Sequence, residues 1–205
     1  MTSTIDDVDG LRGLYGAPSD RAIKKELTAL DVHCEHFIRR SPFLIVASVG
    51  QNGNLDCSPR GDAPGFVQVL DSKTVLIPDR RGNNRVDTLS NVVEHPKVGL
   101  LFMIPGVNET LRLNGRATIE TNPDLLEASA VNGKVPRTGL RIEVEEVFLQ
   151  CAKALVRSKL WAEESKIERK SFPSLGEILS DQIAGSEQPE VIDSALEKNT
   201  REALY

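Results

Sequence analysis

Across residues 43–150 the sequence repeats one unit, a short run rich in Val, Ile, Leu or Phe followed by a turn of Gly, Pro, Asn or Asp. Residues 43–49 read as a buried strand, and Gly50-Gln51-Asn52-Gly53 is a turn signal leading to a second strand through Leu55 and Cys57. Residues 66–70 and 74–77 make another hairpin around Asp71-Ser72-Lys73. A continuous apolar strand over 98–104 is turned by Pro105-Gly106 into a long strand over 109–119. Leu140, Ile142 and Val144 alternate with Arg141, Glu143 and Glu145, which marks a last strand running toward Gln150. The count is six or seven strands, all antiparallel. Such a chain is mainly β, with helices confined to its flanks.

The flanking helices are read from spacing. Residues 1–19 contain glycine breaks and Pro18 and are expected to form an irregular arm over the body, anchored by Leu14 and Tyr15. From Ser19 or Asp20, apolar residues at Ile23, Leu27, Leu30, Cys34 and Phe37 fall four, three, four and three apart, which predicts one amphipathic helix over about 20–39. Ser41-Pro42 stops it. Asn122-Pro123 starts a helix through Leu125, Leu126 and Ala130 that ends at Gly133. A helical extension over about 151–205 closes the chain, and its apolar end, Ala203-Leu204-Tyr205, is expected to dock on the subunit or reach across a dimer.

Length and charge narrow the function. The 205 residues suffice for one well-cored domain over 1–205 with appended helices. A formal net charge of −5 is the wrong sign for a general nucleic-acid binder, so any cationic patch is local and serves a specific anion. Cys34, Cys57 and Cys151 are scattered and odd in number, as free thiols are in a reducing compartment. The N-terminus opens Met1-Thr2-Ser3-Thr4-Ile5-Asp6-Asp7, polar and acidic where a signal peptide needs a basic start and an apolar core. The apolar run over 98–105 is too short to span a bilayer. The expectation is a cytoplasmic protein without membrane or nucleic-acid partners.

Four stretches carry candidate chemistry. Ile77-Pro78-Asp79-Arg80-Arg81-Gly82-Asn83-Asn84-Arg85 packs three arginines, two side-chain amides and a glycine between a strand and a short helix expected to begin at Asn83 or Asn84. Helix-terminal N–H groups added to those arginines make a phosphate site, and the alternative is a solvated basic turn capping the helix. Thr110, Arg112 and Asn114 share one face of a strand, which contacts a ligand or a partner subunit, the alternative being an exposed edge face. Lys153, Arg157 and Trp161, the only tryptophan, follow one another a helical turn apart. Ser58-Pro59-Arg60-Gly61-Asp62-Ala63-Pro64-Gly65 reads as a rigid polar loop of the kind that positions ligand groups. Cys57 is expected to point into the core, with Ser58 facing the other way. His33 and His36 flank Glu35 but lack a third ligand, so no metal site is assigned.

Four ordered motifs, Ser58-Pro59-Arg60-Gly61-Asp62, residues 77–85, Glu109-Thr110-Leu111-Arg112-Leu113-Asn114-Gly115-Arg116 and residues 151–161, resemble the pyridoxamine 5′-phosphate oxidase-related flavin proteins. The resemblance covers about residues 14–180. It implies an antiparallel six- to seven-stranded split β-barrel of the FMN-binding type, assembled as a homodimer with the cofactor at the subunit interface. It also implies that Asp79, Arg80, Gly82, Asn83, Asn84 and Arg85 hold the FMN phosphate and ribityl chain, and that Ser58 and Arg60 lie near the flavin ring. Thr110 and Arg112 would face the isoalloxazine or the phosphate, and the helix with Lys153, Arg157, Ser158 and Trp161 would come from the other subunit. Members that oxidise pyridoxamine phosphate end in an Arg- and His-containing segment, whereas this chain ends Asn199-Thr200-Arg201-Glu202-Ala203-Leu204-Tyr205, so that reaction is not implied. The implied activity is an FMN-dependent oxidoreductase working by hydride or electron transfer on a small substrate, with NAD(P)H or another small molecule as electron donor. No catalytic side chain is assigned. The alternative is a non-catalytic FMN carrier or sensor.

Overall fold

In the computed structural model, which describes residues 4–205, Leu44, Val46 and Ser48 of strand β1 (Phe43–Val49) are buried and the four residues between and beside them are half-buried. Successive side chains on a strand point to opposite faces, so one face of β1 belongs to the core. The other strands are β2 (Leu55–Gly61), β3 (Gln68–Asp71), β4 (Thr74–Pro78), β5 (Lys97–Met103), β6 (Thr110–Glu120) and β7 (Gly139–Gln150). They form one seven-stranded sheet in the order β2-β1-β5-β6-β7-β4-β3, with every pairing antiparallel. β2 and β3 are its edges, and the sheet does not close on itself. The strand count and pairing agree with the sequence reading and with a split barrel. Residues 1–3, the start of the acidic N-terminal run, lie outside the described residues.

Strand register carries the core face across the sheet. Leu44 lies opposite Phe102, Val46 opposite Leu100, and Leu100 opposite Leu113. All five are at most 2% exposed, and each such side chain contributes about 1.5–3 kcal/mol relative to exposure. Helices α3 (Val32–Arg40) and α4 (Asp87–Glu94) pack on this face, α3 burying Cys34, Phe37 and Ile38, and α4 burying Val92. The opposite face, where Ile45, Gly99, Leu101, Arg112 and Phe148 stand in register, carries neither helix and stays partly open.

Five local expectations are corrected. The single helix over 20–39 is two, α2 (Asp20–Lys24) and α3, because the chain between them is drawn into tertiary hydrogen bonds. Leu27 exchanges backbone hydrogen bonds with Val147 of β7 at 3.0 and 2.8 Å, and the Leu30 N–H donates to Ser72 O at 2.7 Å. Asp31 then restarts the helix as N-cap, accepting from the His33 and Cys34 N–H groups. The N-terminal arm is not irregular throughout, since helix α1 (Val8–Tyr15) forms there with Asp7 as its cap, and Leu14 and Tyr15 are exposed instead of anchored.

β2 runs through Ser58, Pro59 and Arg60 to Gly61, where a loop was predicted. An edge strand tolerates proline because its missing N–H faces no partner strand. Cys57 consequently lies on the open face and is exposed, while Ser58 shares the core face with Val46. Finally, α4 begins at Asp87, three to four residues later than expected.

C-terminal to the sheet come α6 (Lys153–Ser158), α7 (Leu175–Gln182) and α8 (Pro189–Glu202), with α5 (Pro123–Glu127) lying between β6 and β7. Ser174 and Glu177 form a capping box at the start of α7. Among the described residues, no helix is long and apolar enough to cross a membrane.

Candidate functional site

The site is built where β4 leaves the sheet. Pro78 pairs with Gly139, and the Asp79 N–H donates to Thr138 O at 2.9 Å, prolonging the pairing by one residue. The chain then loops out over residues 80–86 before entering α4. Asn84 (φ 61°) and Val86 (φ 53°) are left-handed. Asparagine takes that conformation readily, but a β-branched valine is strained there by about 1–3 kcal/mol, and such strain concentrates at ligand clamps.

A cleft of about 530 Å³ lies between this turn and the edge strand β2. Ser58 and Arg60 line it from β2, and Asp79, Arg80, Gly82, Asn83, Asn84 and Arg85 line it from the turn. All eight of these residues were singled out in the sequence. The strand conformation of β2 explains why Ser58 and Arg60 act together, since residues two apart on a strand share a face.

Arg80 is the fixed point of the turn. Its Nε–H donates to Asp62 Oδ2 at 2.7 Å and its Nη1 donates to Ser129 O at 2.8 Å. Tyr205 Oη donates to the other Asp62 oxygen at 2.8 Å, and the Arg80 guanidinium lies 5.5 Å from the centre of the Tyr205 ring. Burial pushes the Asp62 carboxyl up, but the Tyr205 hydroxyl, the Ala63 N–H and Arg80 outweigh it and hold its pKa below the ordinary value. Arg80 thus lines the cleft chiefly as a staple. Arg81 and Arg85 are exposed beside it, Arg85 donating to Asp87 at 2.8 Å in a solvent-accessible pair.

Asp79 is half-buried in the cleft. Desolvation raises its pKa, opposed by the charges of Arg60 and Arg80. On the β2 side, Asp56 gathers hydroxyls from Ser58 at 3.1 Å and Thr88 at 2.8 Å, so it orients Ser58 and ties β2 to the start of α4. Asn91 of α4 donates to Ser48 of β1 at 2.9 Å, extending the same tie.

The remaining sequence candidates do not line this cleft. The Thr110 hydroxyl is buried and donates to Gln150 at 3.0 Å. Arg112 bonds Glu146 at 3.0 Å and stacks 5.1 Å from the Phe148 ring centre, and Asn114 also donates to Glu146. Lys153 and Arg157 are exposed on α6, Ser158 donates to Leu155 O of its own helix, and the Trp161 indole donates to Val107 O at 2.8 Å. Within one chain, therefore, the turn and the Thr110-Arg112-Asn114 face do not meet.

Sequence reasoning missed the roles of Asp56, Ser129 and Tyr205. Nothing in spacing links residues 62, 80, 129 and 205, although the apolar chain end did signal docking, and Tyr205 docks on its own subunit with Leu204 exposed. Among the described residues no group of three or more His, Cys, Asp or Glu is placed to hold a metal ion.

The model of the pyridoxamine 5′-phosphate oxidase family matches residues 30–151. No curated protein matches the chain at a significant level. Among solved structures, HupZ of Group A Streptococcus is 21% identical, with 58% of this chain and 93% of that one covered, at a TM-score of 0.48. A Clostridium acetobutylicum protein related to general stress protein 26 is 16% identical, covering 58% and 86%, at 0.42. An FMN-binding protein from Syntrophomonas wolfei is 7% identical, covering 70% and 97%, at 0.43.

Proposed function

The chain belongs to the pyridoxamine 5′-phosphate oxidase family, and from that premise we propose that it is an FMN-binding flavoprotein acting as an oxidoreductase on a small substrate. The cleft between β2 and the turn over residues 79–86 carries the reading. Its volume lies in the range of small-molecule sites, and its walls fit the cofactor. A phosphate dianion calls for guanidinium groups and amide donors, which Arg81, Arg85, Asn83 and Asn84 supply at the turn. A side chain at Gly82 would meet nothing within 4 Å, so the backbone there is open to a ligand.

When bound, FMN would supply the hydride or electron transfer. The chain's own part is binding and electrostatics. Arg81 and Arg85 hold the phosphate, Arg80 fixes the turn that carries them, and Ser58 and Arg60 form the opposite wall beside the ring. Arg60 also favours an anionic reduced flavin by its charge.

The open sheet face supports a homodimer. Leu55 is 81% exposed there, with Cys57, Ile45 and Leu101 on the same face. Pairing two copies would let Thr110, Arg112, Lys153, Arg157, Ser158 and Trp161 of one chain complete the site of the other. Three free cysteines support a reducing, cytoplasmic compartment.

One observation keeps a carrier or sensor as a second reading: the residues lining the cleft include neither His nor Cys to move protons. FMN titration followed by absorbance and fluorescence tests the cofactor, with one FMN per chain expected. Protein that takes up no FMN overturns it. An Arg81→Ala and Arg85→Ala double variant should bind at least about tenfold more weakly with unchanged circular dichroism. Bleaching of the bound flavin by NAD(P)H, with recovery in air, separates enzyme from carrier.

A further inference from the structure

The N-terminal arm carries an apolar face that its own chain leaves uncovered. Val8, Leu11 and Leu14 follow three apart and Tyr15 lies four beyond Leu11, so they share one side of α1, and Ile5 precedes them there. These five side chains are 43–75% exposed. Among the described residues, the hydrogen bonds of residues 4–16 stay within that stretch and none of its charged groups joins an ion pair. A helix of eight residues is marginal in water on its own propensity, so α1 needs packing to persist.

A matching surface lies near the other end of the chain. A groove of about 780 Å³ runs between residues 169–175 and α8, with Phe172, Leu175 and Leu196 as its apolar lining. Phe172 and Leu175 are about half exposed. Beneath it α7 and α8 are locked together. The Gly176 N–H donates to Asp193 at 2.7 Å, and a Cβ on Gly176 would collide with the Pro189 carbonyl oxygen.

The charges of the two surfaces complement each other. The arm brings Asp6, Asp7 and Asp9 at its start and Arg12 in its last turn. Around the groove stand Arg169, Lys170 and Arg201, none of them in an ion pair among the described residues, together with Glu177, Asp193 and Glu197. Glu177 is engaged in the capping box of α7 and Asp193 on Gly176, which leaves Glu197 to meet Arg12. Apolar burial supplies affinity for such a contact, and the charges fix its orientation.

We propose that α1 docks, apolar face down, in this groove of a second copy of the chain, with its carboxylates toward Arg169, Lys170 and Arg201, so that two copies exchange N-terminal arms. A two-fold pair buries both surfaces in both copies, which closes the assembly at two. The exchange rests on the homodimer proposed above and requires no FMN.

The test places Leu11→Cys in one chain and Leu196→Cys in another, both carrying Cys57→Ser and Cys151→Ser to remove the exposed thiols. The two chains are co-expressed under different tags, purified as a mixed pair and treated with a short bis-maleimide. A covalent dimer carrying both tags is expected, with none from either chain alone. Reversing Arg169→Glu and Lys170→Glu should lower its yield several-fold, and adding Asp6→Lys and Asp9→Lys to the opposite chain should restore it. Absence of the covalent dimer overturns the exchange, as does a link formed within one chain that carries both cysteines. Sedimentation separates the two readings: a dimer that does not cross-link sinks the arm exchange alone, whereas a monomer sinks the homodimer with it.

Discussion

The Arg80 guanidinium and the Asp62 carboxylate meet at 2.7 Å with only 18% and 4% of their side-chain surfaces exposed. This pair joins the loop after β2 to the turn after β4, and Ser129 and Tyr205 complete its hydrogen bonding. Breaking such a pair leaves the remaining charge with little water. Asp62→Ala should therefore lower unfolding stability by about 2–4 kcal/mol in urea titration, whereas Tyr205→Phe, which removes one hydroxyl from the pair, should cost about 1 kcal/mol.

The same carboxylate makes stability depend on acid. Its pKa in the folded protein lies below the ordinary 3.8. Stabilisation of this sign is fully present above the unfolded value and is lost as pH falls through the folded one. The stability gap between wild type and Asp62→Asn should accordingly be constant from pH 7 to about pH 5 and shrink below about pH 3.8. Chemical denaturation at several pH values measures it, and a gap that does not shrink at all as pH falls below about 3.8 contradicts the assignment.

Asp79 should behave in the opposite sense. Desolvation raises its folded pKa above 3.8, so the folded state binds that proton more tightly than the unfolded state. Its ionisation costs the fold stability as pH rises from about 3.8 through the folded value. Asp79→Asn should be more stable than wild type at pH 7 and equal to it well below pH 3.8, as read from denaturant midpoints.

Cys34 is buried in α3, and burial together with the Asp31 carboxylate pushes its thiol up to about 11. The reactive thiolate is then nearly absent at pH 8. A maleimide should leave Cys34 unmodified in the native protein and label it only after unfolding, with peptide mass spectrometry as the readout.

The β6–β7 ladder shifts register between Asn114 and Gly115, and a Cβ on Gly115 would collide with the Glu143 carbonyl oxygen. Backbone cannot yield there without breaking strand pairing. Gly115→Ala should cost about 1–3 kcal/mol and lower the melting temperature. Gly82→Ala, where the space is open, should leave the melting temperature nearly unchanged and serves as its control.

Local chemistry made the strands legible. Phe43–Val49 is a short, almost wholly apolar run, and Leu140, Ile142 and Val144 alternate with charged residues, patterns that read as strand whatever lies across the sheet. The Asp79–Arg85 cluster was equally visible, because arginines, amides and a glycine need no tertiary partner to mark a candidate anion-binding turn.

The break at residues 25–31 was not legible. The apolar spacing through Ile23, Leu27 and Leu30 is helical, but hydrogen bonds to Val147 and Ser72, more than forty residues away in the chain, take that segment instead. Ser58-Pro59-Arg60 reads locally as a loop and becomes a strand only because β2 ends up at the sheet's edge, where proline forfeits no ladder bond.

The sequence by itself determined an antiparallel β body, its main turns and the basic cluster over residues 79–85, since each rests on the order and type of near neighbours. Tertiary structure alone decided that Arg80 is tied to Asp62, Ser129 and Tyr205, and that Arg112 turns to Glu146 and Phe148 instead of the turn. Those choices depend on which distant oxygens and rings fall within about 3–5 Å of a guanidinium once the sheet is assembled.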